Sequence, residues 1–250
     1  MFQLRKPEII PVNDHIWLLD DHHEATCYVV AGNTQAMVID TSIGFCNIRE
    51  IAESLTSLPL VLVNTHGHID HVGGNWSFES AYMNLADLKV AEEDYGMPRL
   101  QETIRANGLV FPPFTHVEDG HIFDLGGLEL QVFYLPGHTA GEIALLDRKD
   151  RILFSGDGIV EQLWLQLPES QPVKTQIEGM ERLRRYRDSF DTILHGHSDA
   201  PMGAELFDTM LDALKDLEAG NTEHDVDYEW LGHVSKAHPF QPDGRKIVYK

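Results

Sequence analysis

Residues 60–71 read Leu60-Val61-Leu62-Val63-Asn64-Thr65-His66-Gly67-His68-Ile69-Asp70-His71. The first four residues are a continuous apolar run of β-favouring side chains, as expected for a strand buried on both faces. The run stops at a turn that carries four metal-capable side chains, His66, His68, Asp70 and His71, within six residues. A strand end followed by a glycine-containing turn lets alternate side chains point into one cleft, and Gly67 with Gly73-Gly74 permits close backbone approach. Imidazole and carboxylate suit Zn²⁺ and also accept Fe or Mn. A single histidine here would read as an ordinary surface turn; this spacing does not.

The same arrangement recurs along the chain. Pro136-Gly137-His138-Thr139 follows a strand-like run at 128–135, Ser155-Gly156-Asp157-Gly158 one at 151–155, and His195-Gly196-His197 one at 192–194. Each turn is weak evidence alone, but four in order, each delivering His or Asp at a strand end, argue for one site. Leu62–Asp70 and Thr192–Asp199 also echo each other, His-Gly-His-x-Asp after an apolar strand, which suggests two similar halves.

Around these turns the chain alternates strand and helix signals. Strands are expected at 15–20, 26–31, 36–40, 121–125 and 143–147, and a closing one at 246–249. Helices are expected at about 47–57, capped by Asn47, across most of 79–107 with a break at Gly96-Met97-Pro98, at about 175–187 and at about 203–218. The stretches 108–118 and 159–172 read as loops. No linker-like or low-complexity stretch divides the chain, so 1–250 is read as a single domain, with 221–250 as a C-terminal extension packing on it.

The chain has 250 residues, enough for one sizeable core. Its formal net charge of −21 repels phosphate backbones and anionic membranes, arguing against nucleic-acid and membrane partners. No apolar stretch approaches a membrane span, no signal peptide is evident, and a mean hydropathy of −0.24 fits a soluble protein. Cys27 and Cys46 are isolated and form no C-x-x-C, which favours a reducing, cytoplasmic setting. A homo-oligomer is compatible with all of this.

The ordered set Asp40, His66/His68/Asp70/His71, His138, Asp157 and His197 resembles the metallo-β-lactamase-fold hydrolase superfamily, from about residue 10 to residue 200. The resemblance implies an α/β fold, a four-layer αββα sandwich of two mixed sheets flanked by helices, with a metal site at one edge. It implies that His66, His68 and His138 hold a first divalent cation, that Asp70, His71 and His197 hold a second, that Asp157 bridges them, and that Asp40 supports the site. His68 stands where the diiron flavoprotein branch of the family has Glu, which favours a hydrolytic, zinc-type centre. His195 and His197 are both candidates for the last ligand; His197, which follows Gly196, is preferred, with His195 in a supporting or pocket-lining place.

The function so implied is hydrolysis by a dinuclear centre, zinc with Fe or Mn as alternatives, using a bridging hydroxide. Asp70 would be both a ligand and the catalytic group that orients that hydroxide and takes up its proton. The substrate is expected to be a small molecule with an ester-type bond such as a lactone. The insert at about 75–118 lacks an Arg/Lys cluster of the kind a glutathione or RNA-end site would use, which argues against a glyoxalase-II thioesterase and a tRNA-processing nuclease. Other thioester, β-lactam and small phosphodiester hydrolysis stand beside the lactone reading. Two rival readings are a mononuclear iron oxidoreductase of the sulfur-dioxygenase type and a non-catalytic metal-binding module. The complete second ligand set speaks against the first. An open water position speaks against the second.

Overall fold

The computed structural model describes residues 6–95, 108–241 and 244–250. The N-terminal half builds one mixed sheet in the spatial order β1 (Glu8–Pro11), β2 (Ile16–Asp20), β3 (Thr26–Ala31), β4 (Ala36–Ile39), β5 (Leu60–Val63), β6 (Ala81–Met83) and β7 (Phe114–His116). β1 to β4 pair antiparallel and β4 to β7 parallel. The second sheet is ordered β14 (Met202–Gly203), β13 (Thr192–His195), β11 (Ile152–Gly156), β10 (Ile143–Asp147), β9 (Glu129–Tyr134), β8 (Ile122–Asp124), with β11 and β13 parallel.

Alternation along the strands makes the layers. Tyr28, Val30, Met37, Ile39 and Val63 of the first sheet meet Val132, Ile143, Leu145, Phe154 and Leu194 of the second in one apolar core. The alternate residues Val29, Val38 and Leu62 pack outward against Ile48 and Ala52 of α1 (Ile48–Leu55), whose first turn is capped by the Asn47 side chain on the Glu50 N–H. On the far side Phe133, Leu146, Leu153 and Ile193 pack against α4 (Val173–Leu183) and α5 (Glu205–Glu218). Two short helices on the first half, α2 (Ile69–Val72) and α3 (Leu88–Tyr95), complete the set among the described residues. The four-layer αββα sandwich is therefore present, and the two His-Gly-His turns end β5 in one sheet and β13 in the other.

Several expectations need correction. The stretch from 79 is not mostly helical up to the expected break, which itself falls outside the described residues. Ala81–Met83 is a strand paired with β5, helix begins only at Leu88, and 96–107 lie outside the described residues. The loop at 108–118 contains β7, and the loop at 159–172 contains β12 (Gln162–Leu165). β12 pairs in parallel with β17 (Lys246–Tyr249), which pairs with β16 (His233–Pro239) and then β15 (Val226–Trp230). The segment after residue 221 thus forms, with β12, a third sheet of four strands. No helix among the described residues is long and apolar enough to cross a membrane.

Asp147 closes β10 at the turn into β11. Its Oδ1 accepts from the N–H groups of Lys149 (2.8 Å) and Asp150 (3.1 Å), while Oδ2 is buried with no partner among the described residues. Burial, with the Asp150 charge adding to it, pushes this carboxyl up to about 6. A raised carboxyl favours folding while protonated, and that contribution fades as pH rises from the unfolded value to the folded one. Asp147→Asn keeps the accepting oxygen and removes the charge. It is expected to raise stability at pH 8 by about 1–2 kcal/mol, a gain that shrinks as pH falls from about 6 toward 4. Urea unfolding at both ends of that range checks it; an equal gain at both would mean that charge is not the cause.

Candidate metal centre

β5 ends at Val63, and Asn64 and Thr65 carry the chain to His66 at the sandwich edge. His66 Nε2 lies 3.0 Å from His68 Nδ1, and His138 Nε2 lies 2.9 Å from the same atom. Three ring nitrogens therefore converge from two sheets. Tetrahedral ligands about 2.05 Å from a cation stand about 3.3 Å apart, close to this spacing. A second group gathers Asp70, His71 and His197. Asp70 Oδ2 is 3.7 Å from His71 Nε2 and 3.6 Å from His197 Nε2. Asp157 lies between the groups, with Oδ2 at 3.0 Å from His197 Nε2 and 3.7 Å from His138 Nε2, and Oδ1 at 3.6 Å from His71 Nε2. All seven side chains singled out by the sequence are brought together.

The outward nitrogens of four rings are occupied, which fixes the tautomers that leave the inward ones free. His71 Nδ1 is 2.9 Å from Asp40 Oδ2, His68 Nε2 is 2.7 Å from Glu169 Oε1, and His138 Nδ1 donates to the Trp164 carbonyl at 2.8 Å. His66 Nδ1 is 3.1 Å from Thr65 Oγ1, which itself donates to Asp40 Oδ2. Glu142 Oε2 stands behind the same ring at 3.5 Å, and Glu142 Oε1 accepts from the Asp157 N–H at 3.0 Å. Outer bonds of this kind hold metal-binding imidazoles in place.

The loops need particular residues to come this close. A Cβ on Gly196 would fall 2.2 Å from Asp157 Oδ1 and 2.5 Å from a carbon of the His71 ring. Gly156 turns at φ +52°, where a Cβ would lie 2.2 Å from Glu142 Oε1. The turn with His195 and His197 is tied to the first sheet, since Thr26 N donates to Gly196 O (2.7 Å) and the Tyr28 hydroxyl to His195 O (2.6 Å). Asp87 joins two ligand loops. It accepts from Gly67 N, from the Thr139 hydroxyl and from Gly141 N at 2.6–3.1 Å.

Electrostatics make the centre a place for positive charge. Burial opposes the charged form of His71, yet Asp157, Asp70 and Asp40 around it hold its imidazole up at about 10. Burial also opposes a charged Asp157, but His197 and His71 keep it well below the usual carboxylate range. Burial and the neighbouring His68 push His138 down to about 4, and burial leads the drop of His66 well below its ordinary value. His71 Nε2 and Asp157 Oδ1 are buried and have no hydrogen-bond partner among the described residues. Orphaned donor atoms facing each other across a ligand-sized gap, with a set of imidazoles and carboxylates, fit divalent cations.

His195 belongs to neither group. Its Nδ1 accepts from the His197 N–H at 3.2 Å, and burial, with the Asp157 charge opposing it, brings the ring down to about 4. Beside the centre lies a cavity of about 620 Å³, with apolar walls from Ile43, Ile69, Val160, Trp164, Leu167 and Trp230. Trp164 and Trp230 pack edge to face at 4.8 Å, so the C-terminal hairpin forms part of this wall. Glu169, the Trp164 carbonyl and Asp87 are supporting groups that the sequence reading did not select.

The fold and this constellation define a metallo-β-lactamase-type hydrolase. The family model described as the metallo-beta-lactamase superfamily matches residues 21–207, and the chain belongs to that superfamily. The human acyl-coenzyme A thioesterase MBLAC2 is 27% identical, over 76% of this chain and 79% of its own length. The hydroxyacylglutathione hydrolase of Francisella tularensis subsp. novicida is 28% identical, over 56% of this chain and 50% of its own length. Among solved structures, a metallo-beta-lactamase from Pontibacter korlensis superposes with a TM-score of 0.66 at 19% identity, over 84% of this chain and all of the other.

Proposed function

We propose that this hydrolase holds two divalent cations, zinc with iron or manganese as alternatives, and cleaves a small carboxylic ester, a lactone being the preferred case. The observation that carries this is the pair of ligand groups sharing Asp157 at the edge of the sandwich. His66, His68 and His138 would hold one cation, Asp70, His71 and His197 the other, and Asp157 both. Bound cations would supply an activated water and polarise the substrate's carbonyl. Asp70 is 29% exposed at its side chain and lines the cavity, so its carboxylate can orient the attacking water and take up its proton. A bound cation would have to displace the proton that the acidic neighbours favour on His71, so metal affinity would rise with pH.

The cavity favours an uncharged acyl group. Glu24, Asp70, Asp157, Glu161 and Glu169 line it, and among the described residues no Lys or Arg does. Glu24, Glu161 and Glu169, which stand outside the proposed ligand set, disfavour a polyanionic carrier along that part of the wall. Thioester hydrolysis is the second reading, favoured by the names of two relatives. A carrier's acidic end would then lie outside the cavity. Buried thiols at Cys27 and Cys46 suit a reducing, cytoplasmic setting.

Metal content measured on protein purified without added metal, followed by assays on lactones, thioesters, β-lactams and phosphodiesters, tests the reading. Two zinc-like ions per chain with ester-type turnover is the expected result. One iron per chain with oxygen uptake would replace it with an oxidoreductase, and bound metal without turnover would leave only a binding module.

A further inference from the structure

His195 ends β13, where Ile193 and His195 share the strand face opposite to Leu194. Leu194 packs between the two sheets, and Ile193 packs on the helix side. His195 is 1% exposed and is one of the residues lining the cavity. Its Nδ1 accepts from a backbone N–H, the His197 amide, which has no other role than donor. Nδ1 therefore carries no proton, and the ring's proton sits on Nε2. Nε2 is buried and has no partner among the described residues. A dry N–H with its direction fixed by a backbone bond, set in the wall of a reaction cavity, is the kind of group that recognises an oxygen on which charge develops.

We propose that His195 is a catalytic residue whose Nε2–H donates a hydrogen bond to the acyl oxygen of the bound ester, in the ground state and more strongly as that oxygen becomes charged. The assignment rests on the ester-hydrolase reading above. It gives His195 a place distinct from that of His197. His197 turns its Nε2 toward Asp157 and Asp70, while His195 is held by its other nitrogen and offers Nε2 to the substrate. The donor is uncharged, which suits a neutral acyl oxygen.

Two variants and one spectrum test this. His195→Leu removes the donor, and His195→Gln restores an N–H at similar reach. The Leu variant is expected to keep wild-type metal content and to lose about 10²–10³-fold in kcat, with a smaller rise in KM from the lost ground-state bond. The Gln variant is expected to recover most of that loss. Wild-type kcat in the Leu variant overturns the proposal, and so does loss of bound metal, which would make His195 part of the metal-holding set. The second measurement needs neither variant nor turnover. In histidine-labelled, zinc-loaded wild type, long-range ¹H–¹⁵N spectra should place the His195 proton on Nε2, and butyrate, a product-like carboxylate, should shift that signal. A proton on Nδ1, or a signal that butyrate leaves unmoved, overturns the proposal. A wild type that hydrolyses no ester would sink the functional reading, and the spectrum would still decide the donor.

Discussion

Asp157→Ala is expected to strip the protein of most bound metal and to lower turnover by at least about 10³-fold. Its carboxylate reaches both ligand groups, at 3.0 Å from His197, 3.6 Å from His71 and 3.7 Å from His138. Several kcal/mol of charge stabilisation at the reacting centre corresponds to at least this factor in rate. The fold should survive, because the side chain lies at the sandwich edge and the apolar clusters do not include it. Metal analysis, kcat and far-UV circular dichroism on one preparation check the three parts. His66→Ala should behave similarly toward turnover while leaving Asp70, His71 and His197 in place. An Asp157→Ala protein that keeps both metal and rate would remove the shared carboxylate from the account.

Asp40→Ala should give the largest loss of stability among substitutions around the site. Asp40 is buried and sits in the left-handed region at φ 61°, where Asp is tolerated better than Ala. It accepts from Thr65 N (2.8 Å), from the Thr65 hydroxyl (2.7 Å) and from His71 Nδ1 (2.9 Å). Alanine leaves three buried donors without an acceptor. At about 1–3 kcal/mol for each buried orphan, partly relieved by relaxation, the cost is roughly 3–5 kcal/mol. In a chain of this size that lowers Tm by roughly 10 °C. Asp40→Asn keeps the backbone conformation and one acceptor, and should fall between wild type and Ala. Thermal unfolding of the three proteins, with and without zinc, measures this. A loss below about 1 kcal/mol for Ala would mean that Asp40 is not the brace described.

The seven side chains of the site were legible because each follows an apolar strand and lies in a glycine-bearing turn, a local pattern with local causes. The strands that escaped lack that pattern. Ala81-Tyr82-Met83 is three residues long and inherits its conformation from pairing with β5 and β7. Val226-Asp227-Tyr228-Glu229-Trp230 buries neither face, so no hydrophobic period announces it; only its partner β16 does. The partners of the imidazoles divide the same way. Asp40 and Glu142 stand next to the ligand turns in sequence or pattern and could be considered. Glu169 meets His68 across a hundred residues, and the acceptor for His138 is a backbone carbonyl, which leaves no mark in a side-chain code.

Asp87 comes from a segment that no histidine pattern points to, and it ties the turn bearing His66 and His68 to the one bearing His138. Those two turns belong to different sheets, so their spacing is set by a third party and not by either strand. Anyone transplanting the ligand-bearing turns onto another scaffold would have to carry this carboxylate with them, or supply another rivet of the same length. Copying the histidines alone would reproduce the donors and lose the distance between them.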